Sequence, residues 1–270
     1  MSVRYARQLV AVSAAVLLFA SSASAQATQT KPFEPTVGQA GKDVVWVPTP
    51  QALVERMLDL AKVTPQDFLM DLGSGDGRTV ITAAKRGLRA QGVEYNPDMV
   101  ELSKRNAAAA GVADKATFVK ADLFETDFSK AQVVTMFLLP SINLRLRPKI
   151  LEMRPGTRVV SNTFTMDDWQ ADETAQVTED CTSWCTALLW IVPAKVEGTW
   201  QLPQGALTLT QKFQMVSGTL GSTPIADGKL RGDEITFTAG NAKYTGKVNG
   251  NTMSGTVSGG SGGKWSATRK

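Results

Sequence analysis

The chain has 270 residues, room for one large or two ordinary domains. Hydrophobic residues are 43% and charged residues 20%, enough for a buried core and unlike a disordered tail. Histidine is absent, which excludes a Ser-His-Asp triad, a Cys-His dyad, His-ligated zinc and a histidine proton shuttle; two cysteines cannot build a Cys₄ metal site, and a formal charge of +4 is too weak to argue for nucleic acid.

Residues 1–25 read as a secretory signal peptide. Arg4 and Arg7 make a positive start, residues 9–20 are an apolar run of 12, short for a bilayer span, and Ala23-Ser24-Ala25 offers small residues for cleavage before Gln26. The other reading is a retained membrane anchor. In both, the positive end stays in the cytoplasm and the rest is exported. The expectation is a secreted or periplasmic protein without stable membrane insertion after cleavage, or a cytoplasmic one if the signal is not used.

Residues 26–43 are polar, carry Pro32 and Pro35, and read as a mobile leader. Over 44–194 strands and helices alternate. A helix follows Thr49-Pro50, with Leu53, Val54, Met57, Leu58 and Ala61 on one face. Strands are expected at 68–72, 90–95, 116–120, 132–139 and 158–164, with helices at 78–86, 97–110 and 142–153 between them. This is the pattern of an α/β, Rossmann-like, mostly parallel sheet covered on both faces, which binds ligands beyond the carboxyl ends of its strands.

The residues with chemistry fall at that edge. Asp71-Leu-Gly73-Ser74-Gly75-Asp-Gly77 follows the first strand and opens a helix. Its glycines permit a sharp turn against a ligand, and a helix N-terminus favours an anion. The Gly-x-Gly-x-Gly spacing departs from the dinucleotide fingerprint. An acid just before the glycines suits a ligand bearing an ammonium, near Asp71, and a carboxylate, near the amides around Gly73 and Gly75. Glu94 closes the second strand, 19 residues after Gly75, where an acid can accept from both hydroxyls of a ribose. Asp122 ends the third strand, able to accept from an exocyclic adenine amine, with Leu123 against the ring; its plainer role is a turn or helix cap.

Together these motifs resemble the class I S-adenosylmethionine-dependent methyltransferases, across residues 44–194. Val47-Pro48-Thr49-Pro50, Phe137-Leu-Leu-Pro140, Pro155-Gly-Thr-Arg-Val-Val-Ser161 and Met166-Asp-Asp-Trp169 narrow the resemblance to a protein-lysine methyltransferase family that includes the mitochondrial enzymes acting on the ATP synthase c subunit and the adenine nucleotide translocase. The resemblance implies S-adenosyl-L-methionine as cofactor, Asp71, Gly73, Ser74, Gly75, Gly77, Glu94, Asp122 and Leu123 around it, and a protein lysine or a small-molecule amine as acceptor. The sulfonium is already activated, so the protein mainly positions methyl group and nucleophile. Phe137, Pro140 and Asn143 are the acceptor-pocket candidates, Trp46 and Trp169 conceivable walls, and Asp167 and Asp168 conceivable bases; no catalytic base is named. The alternative is an exported, non-catalytic binding module that keeps the fold.

Residues 195–270 read as a small antiparallel all-β domain. Glycine is frequent, and Gly228-Lys-Leu-Arg-Gly-Asp-Glu-Ile is echoed 18 residues on by Gly246-Lys-Val-Asn-Gly-Asn-Thr-Met, each a strand, a glycine turn and a strand. Such hairpins suggest a meander curled into a partial barrel, closed by the strands around Trp200 and Trp265, with a flexible loop at 258–263. Residues 26–194 carry 18 basic and 21 acidic side chains, net −3; residues 195–270 carry 9 and 4, net +5. That positive charge suits an acidic partner or a solvated face. Export also permits a Cys181–Cys185 disulfide, the other reading being two separate thiols. Export conflicts with a cytoplasmic cofactor, and the sequence leaves that conflict standing.

Overall fold

The computed structural model describes residues 32–260 and 262–270; the expected signal peptide and the first residues of the leader lie outside them. Two layers of helices cover a seven-stranded sheet. In chain order its elements are α1 (Gln51–Leu60), β1 (Phe68–Leu72), α2 (Arg78–Lys85), β2 (Arg89–Glu94), α3 (Pro97–Ala109), β3 (Ala116–Lys120), β4 (Val133–Met136), α4 (Pro140–Leu151), β5 (Arg158–Asn162), β6 (Glu173–Gln176) and β7 (Thr186–Ile191). The strand order is β3-β2-β1-β4-β5-β7-β6, parallel from β3 to β5, with β7 antiparallel to β5 and β6 antiparallel to β7. β1 and β4 are central and buried on both faces, which accounts for runs that are apolar apart from Asp71 and Thr135. One core lies where α1 and α2 meet the sheet, through Leu53, Leu58, Val80 and Leu69; the other lies under α4, through Ile142, Leu146, Trp169 and Trp190.

Local chemistry sets the boundaries. Asn96 caps α3 by accepting the N–H of Asp98 at 2.9 Å, with Pro97 in the first turn. β4 ends at Met136 rather than 139, because Leu139 takes the extended conformation a following proline demands and Pro140 opens α4. β5 ends at Asn162, since Thr163 is left-handed (φ +58°). The expected strand–helix alternation stops there. β6 and β7 form a hairpin instead, and antiparallel neighbours need no crossover helix.

The remaining strands are β8 (Gly198–Leu202), β9 (Gly205–Lys212), β10 (Met215–Leu220), β11 (Thr223–Arg231), β12 (Glu234–Ala239), β13 (Ala242–Asn249), β14 (Thr252–Ser258) and β15 (Gly263–Arg269). They close into a complete antiparallel barrel, not a partial one: β8 pairs with both β15 and β9, and β9 with β10. Closure removes every open edge. The two halves of the sequence repeat are the β11–β12 and β13–β14 hairpins. The interior is filled by side chains, with Phe237 stacked on Tyr244 at 4.6 Å and Trp265 edge-on to both.

The barrel docks on the edge of the α/β unit. Phe213, in the β9–β10 turn, stacks on the buried Trp169 with centroids 5.6 Å apart. Around this contact the barrel's Lys212, Lys229 and Arg231 meet Asp168, Asp172 and Glu173. Gln214 donates to the Gln170 carbonyl at 2.8 Å, and the Ala194 N–H donates to the Gly232 carbonyl. Part of the barrel's positive charge is therefore spent on the acidic edge of its neighbour.

Candidate active site

The strand order reverses between β1 and β4, and the ends of flanking strands diverge there. The crevice holds a cavity of about 580 Å³. Its floor comes from the segments after β1, β2, β3 and β4, and its roof from residues 39–49.

Asp71 is buried and accepts a hydrogen bond from Thr135 Oγ1 of β4 at 2.7 Å. Burial, reinforced by the carboxylates of Asp76 and Glu94, pushes its carboxyl up to about 7. The glycine turn follows. Gly73, Gly75 and Gly77 all have positive φ, between +53° and +84°. At Gly75 a Cβ would stand 2.7 Å from Trp46 Nε1, so only glycine lets the indole lie on the turn. Gly77 is outside the cavity lining; a Cβ there would strike Phe118 and Ser103, so it serves the packing of α2 and α3.

The turn's amides are already engaged. Gly73 and Ser74 donate to the Val93 carbonyl at 2.9 and 3.1 Å, Gly77 donates to the Ser74 carbonyl, and Gly75 donates to Glu94 Oε2 at 3.0 Å. The N–H groups of Gly73 and Gly75 themselves hold the turn against β2. Ser74 lies over Gly92 of β2, and its buried Oγ has no hydrogen-bond partner among the described residues.

Glu94 lines the cavity with both oxygens anchored, Oε2 by Gly75 and Oε1 by the Asn96 N–H at 2.9 Å. Each oxygen keeps a second lone pair for a ligand hydroxyl. Asp122 and Leu123 line the same cavity. Asp122 is ion-paired with Lys42 and accepts the Phe124 N–H at 2.9 Å; the Lys42 ammonium first, then that N–H, hold its carboxyl below the ordinary range.

Lys42 belongs to the expected leader. Residues 36–46 fold back on themselves through an Ala40–Val45 bridge, with the Trp46 N–H donating to the Gln39 carbonyl and the Gly38 N–H to the Trp46 carbonyl, both at 2.9 Å. Arg78, paired with Asp76, donates to the Thr49 carbonyl at 2.8 Å and ties this lobe to α2. A boundary at residue 43 thus divides a single lobe that roofs the cavity.

At the other end of the cavity stand Phe137, Phe164 and Trp184. Ring centroids are 5.8 Å apart for Phe137–Phe164, 5.2 Å for Phe164–Trp184 and 6.0 Å for Phe137–Trp184. Trp184 sits in the β6–β7 loop beside Cys185, and Cys181 and Cys185 are bridged, with Cα atoms 5.8 Å apart.

Several expected positions lie elsewhere. Pro140 is exposed at the start of α4, outside the lining. Asn143 is buried behind it and donates to the carbonyls of Phe164 and Thr165, both at 3.2 Å, so it braces the segment that carries Phe164. Trp169 is covered by Phe213 and Trp190 rather than walling the cavity. Asp168 is paired with Arg147 and Lys212, and neither it nor Asp167 lines the cavity. Sequence reasoning missed Thr135 and Trp184. The signal for the first is a single hydroxyl inside Val133-Val-Thr-Met-Phe; for the second, an aromatic enclosed by two cysteines in a polar loop.

Comparison with known proteins agrees with this geometry. The family described as ANTKMT methyltransferase domain matches residues 71–173, from the end of β1 into β6. A protein-lysine N-methyltransferase of Saccharolobus islandicus is 45% identical over 152 residues, covering 55% of this chain and 94% of that one. The chain belongs to this methyltransferase family.

The methyltransferase also shares 47% identity with a crystal structure of an RNA methyltransferase from Salinibacter ruber in complex with S-adenosyl-L-homocysteine, at a TM-score of 0.52, over 56% of this chain and 96% of that one. Adenine nucleotide translocase lysine N-methyltransferase of Mus musculus is 39% identical over 119 residues, 43% of this chain and 52% of its own length. The resemblance read from the motifs is therefore correct: this is an S-adenosylmethionine-dependent methyltransferase of class I fold.

Proposed function

We propose that this methyltransferase transfers the methyl group of S-adenosylmethionine to the side-chain amine of a lysine in a protein. The observation that carries the acceptor is the Saccharolobus islandicus relative, which matches over nearly its whole length and is named for that substrate. The cavity supports the same reading against RNA. Asp43, Asp71, Asp76, Glu94 and Asp122 line it, while its only cations among the described residues, Lys42 and Arg78, are both paired with carboxylates. Such a lining offers a phosphate chain no free cation.

The residues present fit the cofactor. Asp71 is a buried carboxylate with no cation beside it among the described residues, a site an amino-acid ammonium would complete. Glu94 has lone pairs free for ribose hydroxyls, and Asp122 with Leu123 would hold the adenine. When bound, S-adenosylmethionine supplies a methyl group already activated on a sulfonium. Asp71 and Glu94, tied to each other through the glycine turn, fix where that group would lie. The apolar end of the cavity withholds water from an incoming amine and so favours its neutral, nucleophilic form. The amine leaves its proton with bulk water as it enters, so no acid of the cavity is needed as a base.

We also place the enzyme outside the cytoplasm. The charged, apolar and small-residue segments of 1–25 support this, and so does the Cys181–Cys185 bridge, a bond that oxidising compartments sustain. Purified from the cell envelope, the chain should then begin at Gln26.

The acceptor is tested by incubating the full chain with tritiated S-adenosylmethionine and, separately, envelope proteins and total RNA. Acid hydrolysis of the labelled protein should release methylated lysine. Label confined to RNA would overturn the reading.

A further inference from the structure

We propose that Phe137, Phe164 and Trp184 form the wall against which the acceptor lysine lies, and that the Cys181–Cys185 bridge holds Trp184 in that wall. The inference rests on the lysine reading above and adds the residues that select the side chain.

The buried aromatics Phe118, Phe128, Trp169 and Trp190 belong to the cores of the α/β unit. The trio does not: Trp184 is 42% exposed, and Phe137 and Phe164 are half-buried along the cavity. The trio is drawn from three separate places, the turn after β4, the turn after β5 and the β6–β7 loop. Phe137 and Phe164 lie nearly parallel, at 21°, while Trp184 is tilted across both at 58° and 44°. Centroids 5.2–6.0 Å apart leave no gap between rings, so a ligand lies on their cavity face. Aromatic faces pack against alkyl chains, and a lysine side chain brings a four-carbon stem that lies on them while its neutral amine reaches inward.

Trp184 is not held by burial. It occupies the left-handed region (φ +59°), as does Asp180 (φ +54°). Bulky residues persist there only where surrounding bonds over-determine the backbone. Here two restraints do so: the disulfide between Cys181 and Cys185, and the Val177 N–H donating to the Cys185 carbonyl at 2.9 Å. Without the bridge the loop is free to relax and carry the indole off the wall.

The test is steady-state transfer to the peptide acetyl-Gly-Lys-Gly-amide by the full chain, with S-adenosylhomocysteine affinity and melting temperature as controls. W184A should raise the KM for the peptide about tenfold with little change in kcat or in S-adenosylhomocysteine affinity, W184F should restore most of the loss, and C181S/C185S should resemble W184A. An unchanged KM in W184A, with the wild type active on the peptide, would overturn the wall and leave the lysine reading intact. A defect in W184A but not in C181S/C185S would overturn the role of the bridge. No methyl-lysine from the wild type, on peptide or protein, would remove the lysine reading and this inference with it.

Discussion

The Gly75 N–H donates to Glu94 Oε2 at 3.0 Å, joining the turn after β1 to the end of β2. One carboxylate thus shapes the glycine turn and faces the cavity that a nucleoside would enter. Its second oxygen is fixed by the Asn96 N–H at the start of α3.

Glu94→Ala should therefore weaken S-adenosylmethionine binding by roughly 10- to 100-fold, the scale of losing hydrogen bonds to a charged group. Calorimetric titration measures this, with the melting temperature as control. Glu94→Gln keeps the shape and one acceptor, and should fall between. Equal affinity in all three proteins would take Glu94 out of the site.

Asp71 makes stability depend on pH in an unusual direction. Its carboxyl titrates near 7 in the folded chain, against 3.8 for an unburied one, because burial disfavours the charge. Between those values the folded chain holds a proton that the unfolded chain has released. Raising pH through that window therefore removes stability, up to a few kcal/mol by pH 8. Asp71→Asn can still accept from Thr135 and never ionises. It should melt higher than wild type at pH 8 and alike at pH 4, in parallel thermal scans without cofactor. Identical pH profiles would show that Asp71 ionises freely in the folded chain.

Phe213 is the barrel's main apolar contact with its neighbour, stacked on Trp169 and covered by the Arg147 guanidinium at 5.2 Å. Phe213→Ala should cost about 1–3 kcal/mol, less than a fully buried ring because Phe213 is half-exposed. In a chain of this size that lowers Tm by roughly 2–4 °C per kcal/mol. Trp169 would gain water, so its emission should shift to the red in the native state. Unchanged emission would show that the polar contacts hold the joint without the ring.

Much of the α/β unit is legible in order of residues. The apolar runs at 68–72 and 133–136 are buried on both faces, and Gly73, Gly75 and Glu94 fall at strand ends because strand lengths and turn residues are local properties. Where reading failed, the cause was distance along the chain. Nothing near Lys42 announces Asp122, 80 residues away, so a segment that roofs the cavity reads as a leader. Met166-Asp-Asp-Trp169 looks like part of a site, yet Trp169 is buried by a residue of the barrel that its own neighbourhood does not mention.

The order of strands and helices, the glycine turn and the acids at the strand ends were set by composition and spacing, since backbone conformation and burial pattern depend on near neighbours. The closing of the barrel, the use of the turn's amides within the fold, the roof over the cavity and the meeting of Phe137, Phe164 and Trp184 were set by packing. Those features join residues far apart in the chain, and only the folded arrangement determines which of them meet.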